Sequence, residues 1–430
     1  MWRTIIVVVL IIIGIAASFY GSFNALMFYL WIAYFRPESW IWSNWVTGLN
    51  LSLIVGIFLL ISTFITNVKF KFTLFAGLLS MVAVHSLTSS LFSDYSNVAF
   101  YYWTEFIKVV AISYLITMLV RSEKDFKITL IVISLSLGME GAKQGWVQLI
   151  LSPGTVNNNT HASLGDNNDV AVGMLMIVPV LFALYQTAER KLIKYGFAFL
   201  AIGVIYRALS TYSRGGFLTF FTMCIIYWFR SQHKIRTLFV VVLISILLLP
   251  LFPQKFWDRM DTITASGEER EGSAAGRLYF WKIGFEMAQN YPLFGIGHNA
   301  YREAYDAFDN SGGLYGTKRS VHSAWFGIMS EWGFIGFILF LGIYAYCLFL
   351  CSQVRSRCKN NPELISFQIY ASCIETSLIA AFVGITFLPF QYREILWHFF
   401  ALAVANQQLF KYKMAIDDNQ QKSVDRDDDL

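Results

Sequence analysis

Thirteen apolar runs recur along the 430-residue chain, at 5–17, 23–35, 51–66, 72–91, 100–120, 128–151, 170–185, 193–209, 217–229, 238–252, 324–350, 365–388 and 395–410. Most approach the roughly 20 residues that a helix needs to cross a bilayer. They are continuous rather than alternating, so they predict helices and not the strands of a β-barrel. Lipid offers the backbone no hydrogen-bond partner, and only a helix satisfies it within one segment. The first two runs are short and nearly abut, which predicts a tight hairpin. The expected fold is an all-α polytopic membrane protein with about 12 transmembrane helices, or 13 if that hairpin counts as two crossings. Residues 1–252 hold the first ten or so spans, 253–321 form one large extramembrane loop, 322–410 hold the C-terminal spans, and 411–430 are an acidic tail.

Polar loops alternate in character. Lys69 and Lys71, then Arg121, Lys124 and Lys127, then Arg190, Lys191 and Lys194, then Arg230, Lys234 and Arg236, then Arg355, Arg357 and Lys359, and finally Lys411 and Lys413 mark one side. Basic short loops stay cytoplasmic. The other set, 151–168, 207–214, the long loop and 389–393, is therefore expected outside, with the C-terminus inside. Tyr34-Phe-Arg-Pro-Glu-Ser-Trp40, followed by Trp42 and Trp45, has the aromatic content of a lipid–water boundary.

Composition sharpens this picture. Hydrophobic residues make up 56% and charged residues 14%, where soluble domains carry about 25% charged. The net charge of +5 comes from the basic loops, and no basic stripe suits nucleic acid. The five cysteines match no zinc pattern.

Within the long loop, 273–290 has helical spacing. Arg277, Trp281 and Phe285 share one face, Lys282 can pair with Glu286, and Tyr291-Pro292 ends the helix. A second short helix is expected over 300–308. Both would lie on the membrane plane.

The candidate chemistry gathers on the outer side. His322 stands at the mouth of an outward-facing helix, and its imidazole can take a proton near neutral pH; alone, it is equally a helix-end histidine. Arg214 lies in Ser213-Arg-Gly-Gly216, where glycines let an anion approach the backbone and Arg grips phosphate bidentately. Arg277 is read as opening a helix whose N-terminus would add positive potential. Each is also what an interfacial arginine looks like; Arg207, Arg302 and Arg319 are weaker versions. Glu331 follows His322 in the same run, about 13–14 Å deeper if the helix is straight. Glu140 and Lys143 can pair, and His85, Glu105, Lys108, Asp169, Glu375 and His398 lie in or near spans. A chain of such groups would suit a transporter. There is no phosphate-binding loop, no dinucleotide fingerprint and no HExxH, so no metal site or cofactor is expected.

Several pieces, in order, resemble the O-antigen ligase superfamily, and within it the branch of O-glycosylation ligases associated with exosortase systems. They are Tyr34-Phe-Arg-Pro-Glu-Ser-Trp40, Gly165-Asp-Asn-Asn-Asp169, Ser213-Arg-Gly-Gly216, Gly276-Arg-Leu278 with Trp281, Pro292-Leu-Phe-Gly-Ile-Gly297, and His322-Ser-Ala-Trp325 with Glu331-Trp-Gly-Phe-Ile-Gly336. The resemblance implies a GT-C-like glycosyltransferase at the periplasmic face of the inner membrane. It would take a glycan from undecaprenyl pyrophosphate and pass it to an acceptor hydroxyl, such as lipid A–core, by metal-independent inverting displacement. It implies His322 as base or acceptor-positioning group and Arg214 and Arg277 as pyrophosphate ligands, with Arg207, Arg302, Arg319, Glu331 and Asp169 as secondary candidates. Polymerases and protein O-oligosaccharyltransferases share these motifs, so the acceptor stays open.

Overall fold

The computed structural model describes residues 2–41, 50–236, 238–239, 242–243, 272–359 and 361–427. The expected span at 238–252, Trp42, Trp45 and the first part of the long loop fall largely or wholly outside these residues. Described helices are α1 (Trp2–Ser18), α2 (Ser22–Phe35), α3 (Leu51–Ile65), α4 (Leu74–Leu91), α5 (Ser96–Leu119), α6 (Glu123–Leu151), α7 (Asn167–Thr187), α8 (Lys191–Leu209), α9 (Arg214–Arg230), α10 (Gly272–Asn290), α11 (Tyr301–Phe308), α12 (Ala324–Arg357), α13 (Ile365–Gly384) and α14 (Glu394–Asp427). Six of them, α4, α5, α7, α8, α12 and α13, are long and apolar enough to cross a membrane, while α1 and α3 are shorter apolar helices. The predicted hairpin forms: Gly21 breaks the chain between α1 and α2, and Gly14 packs on Phe28.

The outer surface of the bundle is apolar. Ile12 on α1, Phe64 on α3, Val84 on α4 and Ile338 on α12 are each at least 60% exposed, which water would penalise and lipid would not. At the centre, α7 is buried nearly all round, from Asp169 to Leu184. It is enclosed by α6, α8, α9 and α13. Small residues allow the closest approach: Gly145 of α6 lies directly against the carbonyl of Gly203 in α8, a packing mode that membrane helices favour.

The predicted helices of the long loop are present. Helix α10 ends at Asn290 and α11 covers Tyr301–Phe308, and the Lys282–Glu286 pair forms at 3.7 Å. Together they build a second small core around Phe280, Ile283, Met287, Ile296, Tyr301 and Tyr305.

The run at 324–350 is not one straight helix. Helical geometry fails at Gly333 (φ 67°, ψ −171°), which leaves carbonyls of the preceding turn without intrahelical partners. The 292–297 turn fills the break. Ile296 N–H donates to the Ser330 carbonyl (2.9 Å), Gly297 N–H to the Glu331 carbonyl (3.2 Å), and Phe334 N–H to the Pro292 carbonyl (2.9 Å). From α4, the Ser89 hydroxyl donates to the Glu331 carbonyl and His85 Nε2 to that of Trp332, both at 2.7 Å. Gly295 is central to this joint, with φ +70° and a Cβ position only 2.3 Å from the Glu331 carbonyl carbon. Gly295→Ala must therefore displace backbone and occupy a left-handed conformation. We expect it to lower the thermal midpoint of the detergent-solubilised chain by a few °C or more; an unchanged midpoint would show that the joint carries no stability.

Candidate active site

One end of the bundle gathers four polar segments: 152–166, 210–213, 295–323 and 385–393. Asn157 N–H donates to the Ser210 carbonyl (2.8 Å), tying the first to the second. Gly215 packs on the Gly384 carbonyl and Leu388. The Trp281 ring meets Phe387 at 5.8 Å, and Trp325 Nε1–H donates to Thr386 Oγ1 (3.0 Å). The short turn at Ile385–Phe387 is thus the piece on which α9, α10 and α12 all lean.

Each main candidate is placed relative to that turn. Arg214 is the first residue of α9, after an N-cap by Ser213, whose hydroxyl accepts from Gly216 N–H (3.4 Å). Arg277 lies in α10 four residues before Trp281, on the same face. His322 lies two residues before α12, next to the N-cap Ser323, and has φ +49°. Its carbonyl accepts from Trp281 Nε1–H (3.4 Å), and its ring lies 6.2 Å from that of Phe280. Helix α10 is already formed at Gly272, so Arg277 is in its second turn and does not open it. Helix-terminal potential fades within one turn. The residue that does sit at a helix N-terminus, where backbone N–H groups favour an anion, is Arg214.

The electrostatics join these groups. Burial pushes the His322 imidazole down to about 4; Arg277 and then Arg319 push the same way, and Asp166 opposes them. His322 is therefore a neutral imidazole at physiological pH, able to accept a proton. Arg319 is exposed, over the Phe280 ring at 5.5 Å. Asp166 caps α7 through Oδ1, accepting from Asn168 N–H (2.9 Å) and Asp169 N–H (3.0 Å).

The secondary candidates separate. Asp169 is buried and paired with Arg393 at 2.5 Å. Arg393 also packs under Gly165, so it holds the turn that carries Asp166. Arg302 is exposed and donates to the Lys318 carbonyl (2.9 Å). Arg207 is 1% exposed; it donates to Gln144 Oε1 (2.8 Å) and the Asn159 carbonyl (2.7 Å), which anchors the 152–166 segment. Glu331 does not stand free and deeper along a straight helix. Its carboxylate accepts from Tyr301 N–H (3.3 Å), Gln391 Nε2–H (3.3 Å) and the Tyr392 hydroxyl (2.6 Å), so it clasps α11 to the 389–393 loop.

Two groups escaped the sequence reading of the site. Arg393 shows no motif, and only its contact with Asp169 reveals it. Asp166 is in a quoted motif, but its nearness to His322 requires the fold. His298 is 1% exposed, accepts from Trp332 Nε1–H (3.0 Å) and is pushed down to about 3 by burial; this is a packed, neutral ring.

The ionisable groups deeper in the bundle have separate local partners. His398 shares a hydrogen bond with the Tyr34 hydroxyl (2.7 Å). Glu375 takes Arg230 (2.5 Å) and Arg355 (2.9 Å). Those two arginines, counted in sequence as loop cations, reach into the bundle because the carboxylate there would otherwise be unpaired.

Fold and site define a multi-pass helical membrane protein with a polar elbow folded over one end. Two family models match it: one described as O-Antigen ligase, over residues 197–341, and a family of unknown function (DUF5935), over residues 2–187. The chain thus carries an O-antigen ligase family domain, as its motifs suggested, and that domain supports a membrane glycosyltransferase of the ligase or polymerase type. No curated protein matches the chain. Arg214, Arg277 and His322 fall in the first match and Asp166 and Asp169 in the second, while Arg393 lies in neither.

Proposed function

We propose that the protein transfers a glycan from undecaprenyl pyrophosphate to an acceptor hydroxyl, of lipid A–core or of another acceptor, at the periplasmic face of the inner membrane. The observation that carries this reading is the meeting at the Ile385–Phe387 turn. Arg214 heads α9 beside it, and Trp281, one helical turn after Arg277, packs on Phe387. Trp281 Nε1–H donates to the His322 carbonyl (3.4 Å), with burial and Arg277 both favouring the neutral imidazole. The acceptor oxygen attacks the anomeric carbon as its proton passes to His322. The bond from that carbon to the pyrophosphate oxygen breaks with inversion. Arg277, Arg214 and the N-terminal N–H groups of α9 take up the charge on the departing diphosphate. These groups supply the neutralisation that a metal ion gives in other transferases, so the reaction proceeds in chelator. The membrane-facing helices, about 12 in this reading, hold the polyprenyl tail in lipid, and the C-terminus is cytoplasmic.

Reconstitution of the purified chain with a pyrophosphate-linked donor and hydroxyl acceptors tests this. Mass analysis is expected to find the glycosylated acceptor with chelator present. Absence of product with every acceptor, or strict need for an added divalent ion, counts against the scheme. The lowered His322 pKa adds a sign-specific expectation. The base form is the deprotonated ring, so kcat/KM, which reports the free enzyme, should stay flat on the acid side until pH nears about 4. A limb near 6.5, the ordinary histidine value, would mean that the titrating group is another one or that His322 is open to water.

A further inference from the structure

A second cluster of charged groups lies behind the 152–166 segment. Arg36, in a left-handed conformation (φ 50°), faces Glu38 (3.7 Å) and Glu394 (3.5 Å). Lys143 of α6 lies over the Trp40 ring (4.9 Å) and 3.8 Å from Glu140. Arg207 completes the group: the buried His161, in the same segment, is within electrostatic reach of Glu140, Arg207 and Arg36 alike.

Five buried atoms in this cluster make no hydrogen bond: Arg36 Nε, Arg207 Nη1, Glu38 Oε2, Glu140 Oε2 and Glu394 Oε2. Two are donors and three are acceptors. Glu140 Oε2 has Lys143 at 3.8 Å but no hydrogen bond. Leaving buried groups without hydrogen bonds is costly, and their mixed polarity says what would satisfy them. Lys108 and Arg393 also reach Glu394 and bring their partners Glu105 and Asp169. The five cations, Arg36, Lys143, Arg207, Lys108 and Arg393, balance the five carboxylates, Glu38, Glu140, Glu394, Glu105 and Asp169, so an anion or a cation would gain little net attraction. A sugar hydroxyl both donates and accepts, and a run of them can serve alternating groups. Glu394 also adjoins Arg393, the residue under Gly165 and Asp169, so the cluster and the His322 site share one wall.

We propose that this cluster is a binding subsite for neutral sugar residues of the substrate, built from the Arg36–Trp40 stretch, the outer ends of α6 and α8, and the start of α14. The inference rests on the transferase reading above and extends it to the recognition of the glycan. Sugars of the acceptor and of the donor offer the same hydroxyl chemistry, and kinetics separate them: the subsite raises the KM of whichever substrate it holds when it is damaged.

The test uses the full chain in lipid nanodiscs and saturation-transfer NMR with methyl glucoside, methyl galactoside and N-acetylglucosamine as probes. The unaltered chain and Lys282→Ala, a change on the exposed face of α10, are expected to bind at least one probe equally. Glu38→Gln and Glu394→Gln, each removing a charged acceptor, should weaken it by ~10-fold. Glu38 sits in the short turn at Pro37–Ser39 and pairs with Arg36, so its variant keeps the test valid if Glu394→Gln fails to fold. Binding of no probe, or binding unaltered in Glu38→Gln, overturns the proposal and leaves a hydrated structural cluster. Displacement of the sugar by inorganic phosphate overturns it in favour of an anion site. A chain that binds sugar here but transfers no glycan overturns the transferase reading alone.

Discussion

His322→Ala should lower the rate of glycan transfer by ~10²–10⁴-fold, the usual worth of a positioned general base. The imidazole lies beside Phe280, and burial keeps it neutral down to about pH 4. Alanine removes the only group in the proposed mechanism that accepts the acceptor's proton. It also leaves a side chain without polar compensation at φ +49°. His322→Asn separates the two effects, because asparagine tolerates the left-handed conformation but cannot act as a base. Both variants should insert and elute like the unaltered chain, and both should fail in single-turnover assays with the pyrophosphate-linked donor. Transfer by His322→Asn within a few-fold of the unaltered rate would remove His322 from the chemistry.

Arg277→Ala carries the next largest expectation, a loss of ~10²–10³-fold in kcat, the range for deleting one donor aimed at developing charge. Arg277→Lys should recover part of it, since lysine restores the charge but not the planar fork. A second readout distinguishes positioning from mere fold support. Arg277 is one cause of the lowered His322 pKa, so without it the acid limb of kcat/KM must move to higher pH. A fall in kcat with the limb unmoved would mean that the two groups are not neighbours in the working enzyme. Arg214→Ala should be milder, because the backbone N–H groups of the α9 terminus remain to meet the diphosphate.

Much of the architecture is legible in the sequence. The apolar runs fixed the helices, because only helices satisfy a backbone in lipid. The spacing of Arg277, Trp281 and Phe285 fixed α10, and Tyr291-Pro292 fixed its end. The break at Gly333 was not legible. The run through it is apolar apart from Ser330 and Glu331, and what opens it is the 292–297 turn supplying hydrogen bonds from some 40 residues away in sequence. The same cause moved Glu331 from a supposed position in the span to a clasp on Tyr301, Gln391 and Tyr392.

The sequence determined by itself that this is a helical membrane protein with a polar elbow before its last helices, and which imidazole and guanidinium groups the elbow and its neighbours bring. These are local properties: hydropathy over one span, and residue types over a few positions. Only the tertiary structure decided which charges face one another. It set Arg214 rather than Arg277 at a helix terminus, drew Asp166 toward His322, paired Asp169 with Arg393, and withdrew Arg207 into a second cluster with Arg36 and Glu394. Those meetings join residues tens to hundreds of positions apart. Electrostatic coupling depends on separation in space, which no local pattern records.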